Sequence, residues 1–385
     1  MSVWDSLVGQ NEVKHQLATA SADTKPTHAW LFTGPPGAGH ATAAQAFAAA
    51  LLCDQPDPAA RGCGTCRSCQ TVLSGSHADF LHFRTEKTVI TIDEAREFVV
   101  KAQDRPAVGR WRVMLIEDAH RMPERTSNVL LKAIEEPPPY TIWLLTAPSP
   151  ADVLITIRSR CRPVQLRLPL VTDVAAVLGT QYGIESQQAE LVARLAQGNL
   201  DTAHKLATDP QARTRRDSVV KIPLTLNSVA SAMDAADRLI SIAEAEAEAD
   251  AQTRNEAERA ALLTSLGYTD GEKLSPTHRA QVRQLEEDQK RRAKRIQTDT
   301  LDRFLADIQT VFRDVLTLQM GTGAELINAH MAQQIQAYAT RTTPEAALAH
   351  LETVATTRRR MTTNASARLA FEAMMTQFIA PPAGR

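Results

Sequence analysis

The sequence predicts an α/β domain built on a doubly wound parallel sheet, followed by a small helical domain and then an all-helical region. Three observations carry this. Short apolar runs alternate with helical periodicity up to about residue 168, as in a parallel sheet covered on both faces. A glycine-rich loop, Gly34 to Gly39, joins one apolar run to an Ala-rich helical stretch. Beyond about residue 215 every apolar spacing is helical.

Composition sets the outer limits. A chain of 385 residues with 43% hydrophobic and 23% charged side chains has room for two or three domains with sizeable cores. The net charge of −1 gives no global basic field, so any nucleic-acid contact has to be local. No apolar run of membrane-spanning length is present, and Met1 to Asp5 lacks the features of a signal peptide. A cytoplasmic location is expected. Four of the five cysteines cluster between Cys53 and Cys69, which in a reducing compartment favours a metal over disulfides.

Helical periodicity from Glu12 to Ala20 precedes a buried strand at His28 to Thr33. Gly34-Pro35-Pro36-Gly37-Ala38-Gly39-His40-Ala41 follows and leads into a helix reaching about Leu52. Strand, glycine loop and helix form the context of a phosphate-binding P-loop. Gly34, Gly37 and Gly39 suit it, because backbone N–H groups and the helix N-terminus can then face a phosphate. His40 and Ala41 stand where that motif has lysine and Ser/Thr. Imidazole is a short, weak clamp and alanine offers a metal no oxygen, so hydrolysis at this loop is expected to be lost or very slow. Passive nucleotide binding and a loop kept only for its shape are both open.

Cys53, Cys63, Cys66 and Cys69 are spaced as two overlapping C-x-x-C turns plus a fourth thiolate. That set predicts structural zinc with no open coordination position; an iron–sulfur cluster and unliganded thiols are the alternatives. His77 to Phe83 reads as a strand, followed by apolar Thr88-Val89-Ile90-Thr91-Ile92 and a helix with Asp93 as its cap. Arg112 to His120 contains a second buried strand with Glu117 and Asp118 at its carboxyl end. A metal-binding Walker B strand carries these acids in the opposite order. Thr126 to Pro138 reads as a capped helix ended by prolines, and Thr141 to Thr146 as a third strand with Thr146 in a γ-phosphate-sensor position. A helix after Asp152 leads to Ile157-Arg158-Ser159-Arg160-Cys161, and Val164 to Leu166 is a last short strand.

Val8-Gly9-Gln10, the P-loop position, Asn128-Val129-Leu130-Leu131-Lys132-Ala133-Ile134-Glu135-Glu136-Pro137-Pro138 and Ser159-Arg160-Cys161 together resemble the bacterial DNA polymerase III clamp-loader subunits, an AAA+ family. The four-cysteine insertion is similar to that group too. The resemblance covers about residues 1–210 by motif. Its hydrolysing gamma/tau members keep lysine and Ser/Thr in the P-loop, Asp-Glu in Walker B and an arginine in the next domain's sensor. Here those places hold His40-Ala41, Glu117-Asp118 and Asp201. The departures therefore resemble the delta-prime branch.

By that resemblance, residues 1–168 are the AAA+ domain with its zinc insertion at 53–69. Residues 169–210 are a helical lid, and 211–385 an all-helical collar with a long charged hairpin near 240–298. The resemblance further implies that Arg160 is an arginine finger acting in trans, with Ser159 supporting it, at the ATP site of a neighbouring gamma/tau subunit. Taken on spacing alone, Arg160 could equally cap the preceding helix or pair with a surface acid. Implied partners are gamma/tau and delta subunits in a hetero-pentamer, the sliding clamp and primed DNA, with no membrane. Competing functions are an active gamma/tau-like ATPase motor and a zinc-stabilised DNA-binding module.

In the collar, Leu239 to Arg259 and Gln281 to Gln297 read as hairpin helices joined by a turn at Gly267 to Pro276. The basic cluster Lys290, Arg291, Arg292, Lys294 and Arg295 either touches DNA or a subunit, or forms a solvated face. Leu301, Phe304, Leu305, Ile308, Val311, Phe312, Val315 and Leu316 form an amphipathic stripe for burial. Pro381 to Arg385 reads as a frayed tail.

Overall fold

A computed structural model describes residues 2–266, 268, 275–361 and 366–379. The chain divides into two compact units, Met1–Thr208 and Asp209–Arg385. The turn expected at 267–276 and the tail expected at 381–385 fall largely outside the described residues.

The first unit is organised by five parallel strands, β1 (Ala29–Thr33), β2 (Phe80–Phe83), β3 (Arg112–Ile116), β4 (Thr141–Ala147) and β5 (Arg162–Gln165), in the order β2-β3-β4-β1-β5. Each crossover carries helix: α1 (Asn11–Ala22) precedes β1, α2 (His40–Leu51) and α3 (Arg67–Leu73) follow it, and α4 (Ile92–Lys101), α5 (Glu124–Glu135) and α6 (Ile155–Arg158) follow β2, β3 and β4. Strand alternation sends Trp30, Phe32, Leu115 and Leu144 into one core, with Leu17 and Phe47. Ala29, Leu31, Met114, Trp143 and Leu145 enter the other, with Phe98, Leu130 and Ile157. Two cores on one sheet are the doubly wound α/β class expected from the sequence. Three further helices, α7 (Val171–Tyr182), α8 (Ser186–Leu195) and α9 (Leu200–Thr208), complete this unit around buried Val174, Leu178, Val192 and Leu206.

Local readings needed correction at three places. The strand expected from His77 begins only at Phe80, because Asp79 turns its carboxylate to the backbone N–H groups of Ala107, Val108 and Gly109. The cap of α4 is Thr91 in place of Asp93; its hydroxyl accepts from Glu94 N–H while the Glu94 carboxylate takes Thr91 N–H. Helix α5 starts at Glu124 with no side-chain cap. Thr126 and Ser127 lie inside it, their hydroxyls donating to the carbonyls of Ile90 and Met122.

The second unit is helical throughout: α10 (Pro210–Thr225), α11 (Val229–Ser265), α12 (Pro276–Met320), α13 (Ala332–Ala339), α14 (Pro344–Met361) and α15 (Ala367–Gln377). The predicted stripe on α12 is buried from Leu301 to Val315, with Leu316 packed at its margin. Inside this core Arg216 donates to Asp307, Asn328 and Thr310 at 2.9, 2.9 and 3.4 Å. No helix among the described residues is long and apolar enough to cross a membrane.

Asp79 is fully buried. Burial would raise its carboxyl, but the N–H groups of Gly109, Ala107 and Val108 hold it below the usual range. Asp79→Ala strands those donors and is expected to destabilise the first unit by about 3 kcal/mol. All four tryptophans, Trp4, Trp30, Trp111 and Trp143, belong to that unit, so urea unfolding followed by their fluorescence measures it. Because the folded pKa is depressed, the wild-type contribution is complete above the ordinary aspartate pKa near 4 and is lost as pH falls through the folded value. The Asp79→Ala difference should shrink in acid accordingly.

Candidate functional site

The register of β1, β4 and β3 places Phe32 beside Thr146 and Leu145 beside Ile116. The glycine loop, Thr146, Glu117 and Asp118 therefore leave the sheet at one carboxyl edge, where ligands bind in open parallel sheets. Gln10 is buried beneath the loop and donates through Nε2 to the carbonyls of Ala38 and Arg167. Gly39 caps α2 in the left-handed region, so His40 and Ala41 open the helix as expected.

The groups that would act on a phosphate are buried or engaged elsewhere. The Nδ1 of His40 is buried and has no hydrogen-bond partner among the described residues. Burial lowers the His40 pKa against the opposing pull of Asp118 and Glu117, so the ring is neutral near pH 7. Glu117 turns towards β2: its Oε1 lies 2.7 Å from His82 Nε2 and its Oε2 3.5 Å from Arg84 Nε, leaving the side chain 13% exposed. Asp118 has a left-handed backbone (φ 56°), pairs with Arg121 at 3.2 Å, and its N–H donates to the Thr146 hydroxyl at 3.1 Å. Helices α7 to α9 add a plug. A Cβ at Gly37 would lie 2.5 to 2.6 Å from side-chain atoms of Asn199, so that amide rests on the loop. Asn199 also caps α9 by accepting from Thr202 N–H, while Asp201 lies exposed in the first turn of α9.

Arg160 is built differently. Buried Ile157 and Cys161 anchor the segment from both sides, and Arg158 and Ser159–Arg160 face outward between them. Arg158 donates to the Pro150 carbonyl at 3.1 Å. Arg160 donates to the Thr156 carbonyl at 2.7 Å and the Ser159 hydroxyl at 3.3 Å, and its Nη2 lies 2.5 Å from Glu135 Oε1. Arginine and glutamate side chains are 39% and 44% exposed. In this chain, then, Arg160 both caps the short α6 and pairs with a surface acid.

The four cysteines converge where α2 ends. Their Sγ atoms lie within 4.8 Å of one another, with Cys53 at 3.7 Å from Cys63 and 3.8 Å from Cys66. A tetrahedron with metal–sulfur bonds of about 2.3 Å has edges of about 3.8 Å, so the set can hold a metal ion. Cys66 N–H and Cys69 N–H each donate to the sulfur three residues earlier, at 3.4 Å. Gly62, at φ 84°, passes against Trp4 so closely that a Cβ would sit 2.7 Å from the indole nitrogen.

Sequence reasoning located the loop, the acids, Thr146, Arg160 and the cysteines. It missed His82, Arg84, Arg121, Glu135 and Asn199, the partners that decide what those groups can do. Asn199 and Glu135 had local signals, their places in Gly198-Asn199-Leu200-Asp201 and in the motif from Asn128 to Pro138.

Comparison with known proteins agrees with the motifs. A family model described as DNA polymerase III, delta subunit matches residues 9–169, and its C-terminal counterpart matches 282–380. The DNA polymerase III subunit tau/gamma of Haemophilus influenzae is 33% identical over 199 residues, covering 50% of this chain and 29% of that protein. The DNA polymerase III subunit delta' of Pseudomonas aeruginosa is 35% identical over 170 residues, covering 44% of this chain and 51% of that one. The matches thus span about half or less of these relatives. A solved gamma subunit-related protein of Thermotoga maritima aligns over 94% of this chain and 98% of its own, at a TM-score of 0.44 and 14% identity.

Elemental analysis of the purified protein is expected to find one metal ion per chain. Cys66→Ser should lose it and lower the thermal midpoint of the first unit by about 5 °C or more, at 2–4 °C per kcal/mol. Metal-free wild type of undiminished midpoint would contradict this.

Proposed function

The chain belongs to the family of DNA polymerase III clamp-loader subunits, and from that membership we propose that it is a delta-prime-type subunit that does not hydrolyse ATP itself. It would supply Arg160 to the nucleotide bound by an adjacent gamma/tau subunit and so help load the sliding clamp onto primed DNA. The observation that carries this reading is a contrast at the two candidate positions. The phosphate loop has no cation and no free acid, whereas Arg160 is an exposed guanidinium.

Physical chemistry supports the division. Phosphoryl transfer relies on a cation at the β/γ-phosphates and a carboxylate holding Mg²⁺. Neutral His40, methyl-bearing Ala41 and the engaged Glu117 supply neither. Arg160 gives up little on moving to a phosphate, since an exposed ion pair such as that with Glu135 is worth about 0–1 kcal/mol. A charge-assisted, bidentate contact with phosphate in a closed interface is stronger.

The same reading makes the metal at Cys53, Cys63, Cys66 and Cys69 zinc, with a structural role, because four thiolates leave no position for water. It places the protein in the cytoplasm within a hetero-pentamer of gamma/tau and delta subunits.

Steady-state ATPase of the reconstituted complex tests the proposal. Arg160→Ala should cost one site's turnover by about 10³–10⁵ while assembly is unchanged. Full clamp- and DNA-stimulated turnover in the assembled variant would overturn the finger. ATP turnover by the isolated chain that disappears in Glu117→Gln would overturn its inactivity.

A further inference from the structure

We propose that the outer face of α12, from Arg279 to Lys294, is a binding surface for the phosphodiester backbone of duplex DNA. The hydrophobic core of the second unit reaches Ala243 on α11 and Leu301 on α12. Beyond those residues the two helices continue as a hairpin with few buried apolar side chains, among them Ala247, Ala251, Leu263 and Val282. Polar pairs hold it together. Arg292 donates to Glu258 and Asn255, Gln289 to Glu258 and the Asn255 carbonyl, Gln297 to Glu244, and Arg303 to Glu246.

These contacts sort the basic cluster. Arg292 and Arg295 are buried, and Arg291 pairs with Glu287 and Asp288 along its own helix. Arg279, Arg283, Lys290 and Lys294 are exposed and have no ion-pair partner among the described residues. At about 100° per residue, these four fall within an arc of about 60°. They run about 22 Å along the helix, at 1.5 Å per residue, as two i,i+4 pairs. Exposed Glu286 and Glu287 flank the arc, one about 20° beyond each edge, and lie between the two pairs.

The chemistry of the stripe selects its occupant. Residues 276–300 contain no Phe, Tyr or Trp, and the one imidazole, His278, packs against Tyr268, whereas single-stranded nucleic acid is held largely by base stacking on aromatic platforms. No large hydrophobic side chain of this segment is exposed, whereas protein interfaces are anchored by buried aromatic or apolar residues and are poor in lysine. What is left is a straight row of cations. Duplex DNA presents one phosphate per strand about every 3.4 Å of axis, so about 22 Å of stripe faces roughly six backbone steps. Recognition would be electrostatic and indifferent to sequence.

The test is fluorescence anisotropy of a labelled random-sequence duplex with the full-length chain, titrated at several salt concentrations from about 50 to 200 mM. Changing Arg279, Arg283, Lys290 and Lys294 together to glutamine keeps helix-forming residues at each place, which circular dichroism checks. The slope of log K against log salt is expected to fall by about 0.9 for each contact removed, about 3–4 in all. Glu286→Gln should tighten binding several-fold, and Arg291→Gln should leave the slope unchanged. An unchanged slope in the fourfold variant, equal weakening by Arg291→Gln, or no duplex binding by wild type at low salt overturns the proposal. Loss of affinity for an acidic partner subunit in place of DNA would also overturn it. None of these outcomes bears on Arg160, whose role is read from ATPase in the assembled complex.

Discussion

Parallel pairing of β1 with β4 and of β4 with β3 is the constraint on which the candidate site depends. These strands are buried on both faces, and their side chains divide between two separate cores. A slip of one residue would send Trp30 and Phe32 into the core that holds Leu31 and would invert every layer, so the register is fixed by packing. The glycine loop, Thr146 and the two acids consequently leave the sheet side by side. Backbone geometry at this edge is set by core packing, whatever side chains occupy it.

Electrostatics at that edge are settled within the chain. Glu117 is partnered by His82 and Arg84, Asp118 by Arg121, and His40 is kept neutral by burial. Asn199 lies on Gly37, where a nucleotide's phosphates would approach the backbone. Freeing this edge would mean breaking several partly buried contacts and leaving their partners unsatisfied. Arg160 stands in the opposite situation. Its guanidinium is exposed, its anchors Ile157 and Cys161 are buried, and its partner Glu135 is itself wetted by solvent. Burial therefore fixes the segment's backbone while exposure keeps the charge exchangeable.

What could be read from the sequence follows the range of the interactions involved. Alternating strands, the glycine loop and the cysteine cluster are local patterns, and each appears where its residues predict. Errors arose where a residue was claimed from a distance. Asp79 shortened β2 because its carboxylate binds backbone 28 to 30 residues away, and nothing near His77 announces that. The cap is an exception, a local pattern misread: Thr91 displaced Asp93 because Glu94, three residues on, completes its capping box. Glu117 meets a histidine 35 residues earlier, and Arg160 meets a glutamate on a different helix. Motif matching singles out Glu117 and Arg160, but their availability is a property of tertiary partners that the sequence does not display.

The cysteine cluster bears on the loop through α2. That helix begins at His40, directly after the loop, and Cys53 follows its end. Twelve helical residues span about 18 Å, so the cysteine cluster is too far away to take part in any chemistry at the loop. It can still determine where the helix sits. Residues 53–69 bury little beyond the cysteines themselves, and Val3 and Trp4 lean on the same turn, Val3 N–H donating to the Gly62 carbonyl at 3.0 Å. An insertion this poor in apolar side chains has no core of its own to order it. Four thiolates closing on one ion would do that work, joining the N-terminal segment, the end of α2 and α3 at a single point. A tetrathiolate site placed here would steady the far end of the helix whose near end carries the loop.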